Sequence, residues 1–481
     1  MTTGTGQWFP LSLHICRVRF QRPTPTCRDG RNNVISGHPV KYIYTKGDGA
    51  SFNKTAVRTE VDSMSGEPRR ARRRQVMWKT INNIAYRLYF AYRNRISRRE
   101  NRRWTVRVAR SPDPEPRPVL YVAWGRIGDV VLATGHLKRM RRWFHPSPVW
   151  FLGRSRVRPL VEPHVDAFLP FPEPAAHLTG SGVNPAASLE GIADRSFRCV
   201  IADIHTFYGG LFALDAVLAA VRADHRFVYE GYHLGEDLAP ERPYPAGFEV
   251  VPKFEDGDGG GKDSAPGHLL HHNGHYIRRV LEHCGVESDD GEAWRPELDH
   301  VGSGADACHR FGIEPGEYVA WQPRSDNRRK DYPTARWAET IRAFPELQFV
   351  ALAEPGRADE VNRTVPPGVR LIETSLTGVM KLIREARLFV GLDSGLSHIS
   401  TVMGTPTVCV CPDSHLGYFF PYPESYGFRN LHTVSHSDYL PCRGCFMTCR
   451  HEPLTSTITR GALCLRTLPS RLVIEAIRYA L

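Results

Sequence analysis

Short apolar runs, each closed by a polar or glycine-bearing turn and followed by residues at helical spacing, recur along most of this chain. The first is Val119-Leu120-Tyr121-Val122-Ala123-Trp124. It turns at Gly125-Arg126-Ile127-Gly128, and Asp129 then opens a helix running to about Trp143. Strand-like runs follow at Pro148–Leu152 and Cys199–Ile204, with helical segments near Leu211–Val221 and His275–His283. A second series starts at Tyr318–Trp321 and continues with a helix over Trp337–Phe344 and strands at Gln348–Leu352 and Val369–Ile372. A helix over Leu376–Glu385 leads into Phe389-Val390-Gly391-Leu392-Asp393-Ser394-Gly395-Leu396-Ser397-His398, which reads as strand, polar turn and helix start. Gly404 stops that helix, and Thr405–Val410 is the next strand. Ser470 is placed to cap a last helix with Leu472, Val473, Ala476, Ile477 and Ala480 on its apolar face. Strands alternating with helices predict parallel sheets covered on both faces. Two such series predict two doubly wound domains with a cleft at the carboxyl ends of their strands.

Length agrees, since 481 residues exceed one ordinary core. The formal net charge of +12 suggests nucleic acid until its distribution is read. Residues 1–117 hold 25 Lys and Arg against 8 Asp and Glu, while the other 364 hold 38 against 43. The excess basicity belongs to an N-terminal extension over residues 1–115, and binding of nucleic acid by the globular part is not expected. Residues 1–75 show no sustained periodicity and are expected to be largely disordered. Over 77–99, Trp78, Ile81, Ala85, Leu88, Tyr92 and Ile96 recur at helical spacing among many arginines. Such a helix suits an anionic membrane surface, and it also suits packing on the body with a solvated basic side or, as the least favoured reading, nucleic acid. No apolar run reaches the ~18–20 residues of a membrane-spanning helix, and no proper signal peptide is seen. Eleven cysteines scattered over a long chain read as reduced thiols. The expected location is therefore cytoplasmic, peripheral at the inner face of the cytoplasmic membrane.

The turn at Asp393–His398 aims backbone N–H groups and a helix N-terminus at one spot, an anion site suited to phosphate. Asp129 opens the first helix, where it is either an N-cap or a carboxylate facing the cleft and able to accept a proton. The first turn does not match G-x-G-x-x-G, and no ribose-binding acid stands about 20 residues on, so a dinucleotide cofactor is not expected. Arg324-Ser325-Asp326-Asn327-Arg328-Arg329-Lys330-Asp331-Tyr332-Pro333 follows the first strand of the second series. Basic side chains and a hydroxyl there suit a diphosphate, although a solvated charged loop would look the same.

Gly128-Asp129-Val130-Val131-Leu132-Ala133-Thr134, Lys330-Asp331-Tyr332-Pro333 and Asp393-Ser394-Gly395-Leu396-Ser397-His398, in that order and at domain-sized spacing, resemble the pattern of glycosyltransferase family 9, the ADP-heptose:lipopolysaccharide heptosyltransferases and relatives. The resemblance covers roughly residues 118–480. It implies a GT-B fold of two Rossmann-like domains: an acceptor domain over 116–300 and a nucleotide-sugar donor domain over 301–481. It implies an inverting, metal-independent transfer from a nucleoside-diphosphate sugar, ADP-heptose among them, to a lipid-linked saccharide such as the lipopolysaccharide core. On that resemblance Asp129 is the general base and Lys330 offsets the charge of the leaving diphosphate. Ser325, Asp393, Ser394, Gly395, Leu396 and His398 bind the donor. Glu354, Asp359 and Glu360 compete for the role of ribose-contacting acid.

Other groups are less telling. Asp203 and His205 follow a strand in the first domain, where they are placed to meet an acceptor. Cys442, Cys445, Cys449 and Cys464 are spaced to close a structural zinc site, and they also read as free thiols or disulfides. No cofactor is expected for catalysis. Cys409 and Cys411 read as core residues, and His271, His272 and His275 as a surface or helix-start cluster. Two further readings of the fold are an epimerase acting on a nucleotide sugar and a non-catalytic, membrane-associated scaffold that binds one.

Overall fold

A computed structural model describes residues 116–481 except 124–125, 172–191, 193–194, 204–220, 230–246, 253–266, 289–293, 437–448 and 450–459. The basic extension with its 77–99 segment, and the Leu211–Val221 segment but for Val221, lie outside the described residues.

The first sheet comprises β1 (Val119–Ala123), β2 (Val149–Arg154), β3 (Ala167–Phe171), β4 (Ser196–Asp203), β5 (Arg222–Tyr229) and β6 (Glu249–Val251), in the order β3-β2-β1-β4-β5-β6. The second comprises β7 (Tyr318–Trp321), β8 (Gln348–Ala353), β9 (Arg370–Glu373), β10 (Leu388–Leu392), β11 (Thr407–Val410) and β12 (Leu431–Val434), in the order β12-β11-β10-β7-β8-β9. Every pairing is parallel. Counted within its own half, each sheet has the 3-2-1-4-5-6 order of the Rossmann fold, so β1/β4 and β7/β10 are the two switch points. The fold is GT-B, as the motifs imply.

The continuous apolar runs follow from burial on both faces. In β1, Val119, Tyr121 and Ala123 join one apolar cluster, while Leu120 and Val122 join another with Val200, Ala202 and Val228. In β7, Tyr318 and Ala320 lie on one side, and Val319 and Trp321 meet Trp337, Val473 and Ile477 on the other.

Helix α1 (Ile127–Trp143) is buried almost all round in its first three turns. It covers the first sheet and also packs against the second half of the chain. The segment 294–304 crosses it: Glu297 N donates to Thr134 Oγ1 at 3.0 Å. A β-carbon at Gly135 would run into the Trp294 and Arg295 carbonyls, so only glycine fits that crossing. Helices α2 (Leu269–His283), α3 (Thr334–Arg342), α4 (Leu376–Arg384), α5 (Gly395–Val402) and α6 (Ser470–Ala480) complete the cover used below.

Some expectations shift. Helix α1 begins at Ile127 with Arg126 as N-cap, so Asp129 is the third helical residue and not the cap. Ser470 is likewise inside α6, after Pro469, and its Oγ donates to Glu339 Oε2 at 2.6 Å. Strand β5 escapes an apolar-run reading because only Phe227, Val228 and Tyr229 of its eight residues are buried. Of the surface and helix-start readings of His271, His272 and His275, the helix start holds: they lie in the first turns of α2, and His272 is buried with its Nδ1 2.7 Å from the Tyr229 hydroxyl. Cys409 and Cys411 are core residues as expected.

Candidate active site

The two switch points face one cavity. The first domain contributes Arg126, Ile127, Gly128 and Asp129 from the start of α1, and Arg156 from beyond β2. The second contributes Gln322, Arg324, Ser325, Asp326 and Lys330 beyond β7, Glu354 and Arg357 beyond β8, Asp393–Leu396 and His398 beyond β10, and Phe419. Both ends of the proposed chemistry thus share one space, as their positions at strand carboxyl ends require.

Lys330 and Asp393 form its charged floor. Lys330 Nζ lies 3.1 Å from Asp393 Oδ2 and 5.2 Å from the centre of the Phe419 ring. Asp393 is 1% exposed. Burial works to raise its carboxyl pKa, but Lys330 and His415 together overcome that and hold it well below the usual carboxylate range. His415 was not singled out in the sequence. It follows β11 by five residues, and its Nδ1 lies 2.5 Å from Asp393 Oδ2. The rule that ligands gather beyond strand carboxyl ends would have pointed to Pro412–His415 as it did to Asp393.

The rest of Lys330-Asp331-Tyr332-Pro333 is scaffolding. Asp331 Oδ1 accepts the Ser325 N–H at 2.9 Å, and the Tyr332 hydroxyl donates to the Leu468 carbonyl at 3.0 Å. Ser325 is buried, and its Oγ accepts the Asn327 N–H at 3.3 Å. These bonds hold the short turn Arg328–Lys330 against the cavity.

The two helix N-termini at the cavity differ. In α1 the Asp129 carboxylate turns back to accept the N–H of the N-cap residue Arg126 at 2.7 Å. In α5 no side chain caps the first turn, and the Ser394 hydroxyl donates to Gln322 Oε1. The first N–H groups of α5 therefore keep their capacity for an anion. The helices meet at glycines: a β-carbon on Gly395 would lie 2.6 Å from Ile127 Cβ, and one on Gly128 would lie 2.6 Å from His398 Cδ2.

His398 is buried, and burial pushes it down to about 3, so it is neutral near pH 7. Its Nδ1 is 2.7 Å from the Tyr422 hydroxyl, and its ring stacks on Phe420 with centroids 4.3 Å apart. With Tyr422 donating to Nδ1, Nε2 carries the proton.

Across the cavity mouth, Asp326 pairs with Arg357 of its own domain and with Arg156 of the first at 3.4 Å. Among the three acids after Leu352, Glu354 lines the cavity and Asp359 does not. The Glu360 carboxylate is held by Arg357 at 2.9 Å and Arg324 at 3.2 Å.

Asp203 is buried beside Tyr121, whose hydroxyl donates to it and lies 2.8 Å from His136 Nε2. That network sits under the sheet end and does not line the cavity described. His205 lies outside the described residues, as do Cys442 and Cys445 of the four-cysteine set. Of the other two, Cys449 is half-buried and Cys464 is buried.

Residues 289–443 match the family described as glycosyltransferase family 9 (heptosyltransferase). A 131-residue stretch is 28% identical to lipopolysaccharide heptosyltransferase 1 of Pseudomonas aeruginosa, covering 26% of this chain and 35% of the relative. The match thus spans about a third of that relative's length. Among solved structures, a glycosyltransferase of family 9 from Veillonella parvula is 14% identical, covering 77% of this chain and 99% of its own, with a TM-score of 0.52. It shares the fold. A heptosyltransferase II from Escherichia coli is 13% identical, covering 76% and 98%, at a TM-score of 0.47.

Proposed function

From the premise that this chain belongs to glycosyltransferase family 9 through residues 289–443, we propose that it transfers a sugar from a nucleoside diphosphate to a saccharide hydroxyl. One observation carries the reading. A cation and an uncapped helix end on the second domain face, across one cavity, a carboxylate on the first.

Negative charge grows on the diphosphate as the bond to the sugar breaks. Lys330 and the first N–H groups of α5 stabilise that charge more in the transition state than in the ground state, which is what accelerates a reaction. The acceptor hydroxyl must lose its proton as it attacks the anomeric carbon from the opposite face, giving inversion. Asp129 faces the cavity and serves as the base. Its bond to the Arg126 N–H fixes its direction. Arg324 and Ser325 flank the diphosphate, Asp393 positions Lys330, and neutral His398 offers its Nε2–H. Glu354, on the cavity wall beyond β8, is the acid placed for the ribose. The positive charge comes from the chain's own groups, so the transfer step as drawn uses no metal.

ADP-heptose, which the motif resemblance implies, is the proposed donor, and a lipid-linked saccharide such as the lipopolysaccharide core the proposed acceptor, in keeping with the name of the Pseudomonas relative, a lipopolysaccharide heptosyltransferase. Reaching such an acceptor asks for attachment at the inner face of the membrane, for which the basic 77–99 segment is the proposed contact. Among the described residues no helix is long and apolar enough to cross a membrane.

A thermal-shift panel of ADP, GDP, UDP and their sugars, followed by mass spectrometry of products from a membrane extract, tests the reading. An adenine nucleotide should raise the melting temperature most, and a glycosylated lipid should appear. Turnover of the donor without any acceptor would favour epimerase-type chemistry, and binding with no turnover a scaffold.

A further inference from the structure

Two donors converge on one oxygen of a buried carboxylate: Lys330 Nζ at 3.1 Å and His415 Nδ1 at 2.5 Å, both on Asp393 Oδ2. A carboxylate at neutral pH only accepts, so His415 must carry hydrogen on Nδ1. We propose that His415 is a positioning residue of the donor site, whose Nδ1–H compensates the Asp393 carboxylate so that Lys330 stays available to the donor's diphosphate. The inference rests on the glycosyl-transfer reading of the cavity.

The physical need is specific. Asp393 holds Lys330 at the cavity but also opposes its charge, and a bare buried carboxylate beside a diphosphate repels it. A neutral donor on the same oxygen draws off part of that charge without adding a competing cation. His415 is built for this. It is 4% exposed, and its ring meets Phe419 edge-on with centroids 5.4 Å apart, the same phenyl ring that Lys330 overlies. Burial and Lys330 lower its pKa against the opposing pull of Asp393, keeping the ring neutral. The His415 N–H and Leu416 N–H are tied to the Pro412 and Asp413 carbonyls, so the turn that carries the ring is closed on itself. The other groups facing Asp393 are His398 of α5 and the thiols of Cys409 and Cys411, with Asp413 and Arg329 further out. None of these others is shown donating to the Asp393 carboxylate among the described residues.

The test is the affinity for ADP of the full chain and of His415→Ala, His415→Asn and His415→Gln, by calorimetry at pH 7.5. The Asn amide nitrogen falls near the place of Nδ1, and the Gln nitrogen near that of Nε2. The Ala variant should bind about tenfold more weakly at pH 7.5, the loss expected of one hydrogen bond to a charged group. Asn should lie within about threefold of wild type and Gln well below it. Wild-type affinity in the Ala variant, or equal weakening in Ala, Asn and Gln, overturns the proposal, the latter marking a packing defect. If the Ala variant does not fold, Asn and Gln binding equally well overturns it. Should the wild type bind none of ADP, GDP or UDP, the reading of the cavity itself fails, and this inference with it.

Discussion

Helices α1 and α5 begin in the same way, at a polar turn after the first or fourth strand of a Rossmann sheet, yet the side chains at their first turns differ. At the start of α1 the Asp129 carboxylate turns back to accept the N–H of the N-cap residue Arg126. At the start of α5 the N-cap hydroxyl of Ser394 donates to Gln322, and no side chain caps the first turn. One end presents a carboxylate and the other presents open N–H groups, a few ångströms apart across two glycines. On the proposed reading, the same local fold supplies a base on one side and an anion cradle on the other. The difference comes from one side chain in each turn, not from the sheet.

That division predicts unequal effects. Asp129→Asn removes the proton acceptor but keeps a side-chain oxygen for the Arg126 N–H. Turnover should fall about 10³-fold, within the range for general-base catalysis, with donor KM nearly unchanged. Steady-state kinetics with a nucleoside-diphosphate sugar would check this. Lys330→Ala should cost about 10²-fold in kcat and also weaken nucleoside diphosphate, since the lysine acts on ground and transition states alike, though more on the latter. Gly395→Ala sets a methyl group 2.6 Å from Ile127 Cβ and should destabilise the folded chain by about 1–3 kcal/mol, read from urea unfolding. Ser394→Ala loses only the bond to Gln322, and about 1 kcal/mol or less is expected.

The buried histidines give a pH test of the same region. His268 and His398 are both pushed down to about 3 by burial, from an ordinary value of 6.5. Between those values the unfolded chain binds protons that the folded chain does not, so stability is full above about pH 6.5 and declines below it. The slope is ~1.4 kcal/mol per pH unit for each histidine while both remain neutral in the fold. Unfolding free energies at pH 7.5, 6 and 5 would measure it, and a flat profile would mean that these rings are not held neutral.

Much of this was legible in the sequence. The strands buried on both faces announce themselves as unbroken apolar runs, and Asp129, Lys330 and the Asp393–His398 turn stand at strand ends in recognisable order. What was hidden depends on sheet order. His415 reaches Asp393 only because β11 lies beside β10, and Arg156 meets Asp326 only because two domains close on one cavity. Neither adjacency has a local signature. The glycines illustrate the same limit: Gly128 and Gly395 read as turn and phosphate-loop residues, yet each is also required by the close approach of the two helices. The burial of Asp203 beside Tyr121, which also meets His136, is equally invisible in the sequence, where it reads only as a strand-end carboxylate.

The central claim, that α5 with Lys330 binds the diphosphate while α1 supplies the base, is tested most directly by titrating ADP into Asp129→Asn and Lys330→Ala side by side. The account predicts that Asp129→Asn binds within about threefold of wild type while Lys330→Ala binds at least about tenfold more weakly. Equal weakening of both variants, or loss of binding in Asp129→Asn alone, would contradict the division of labour between the two helix ends.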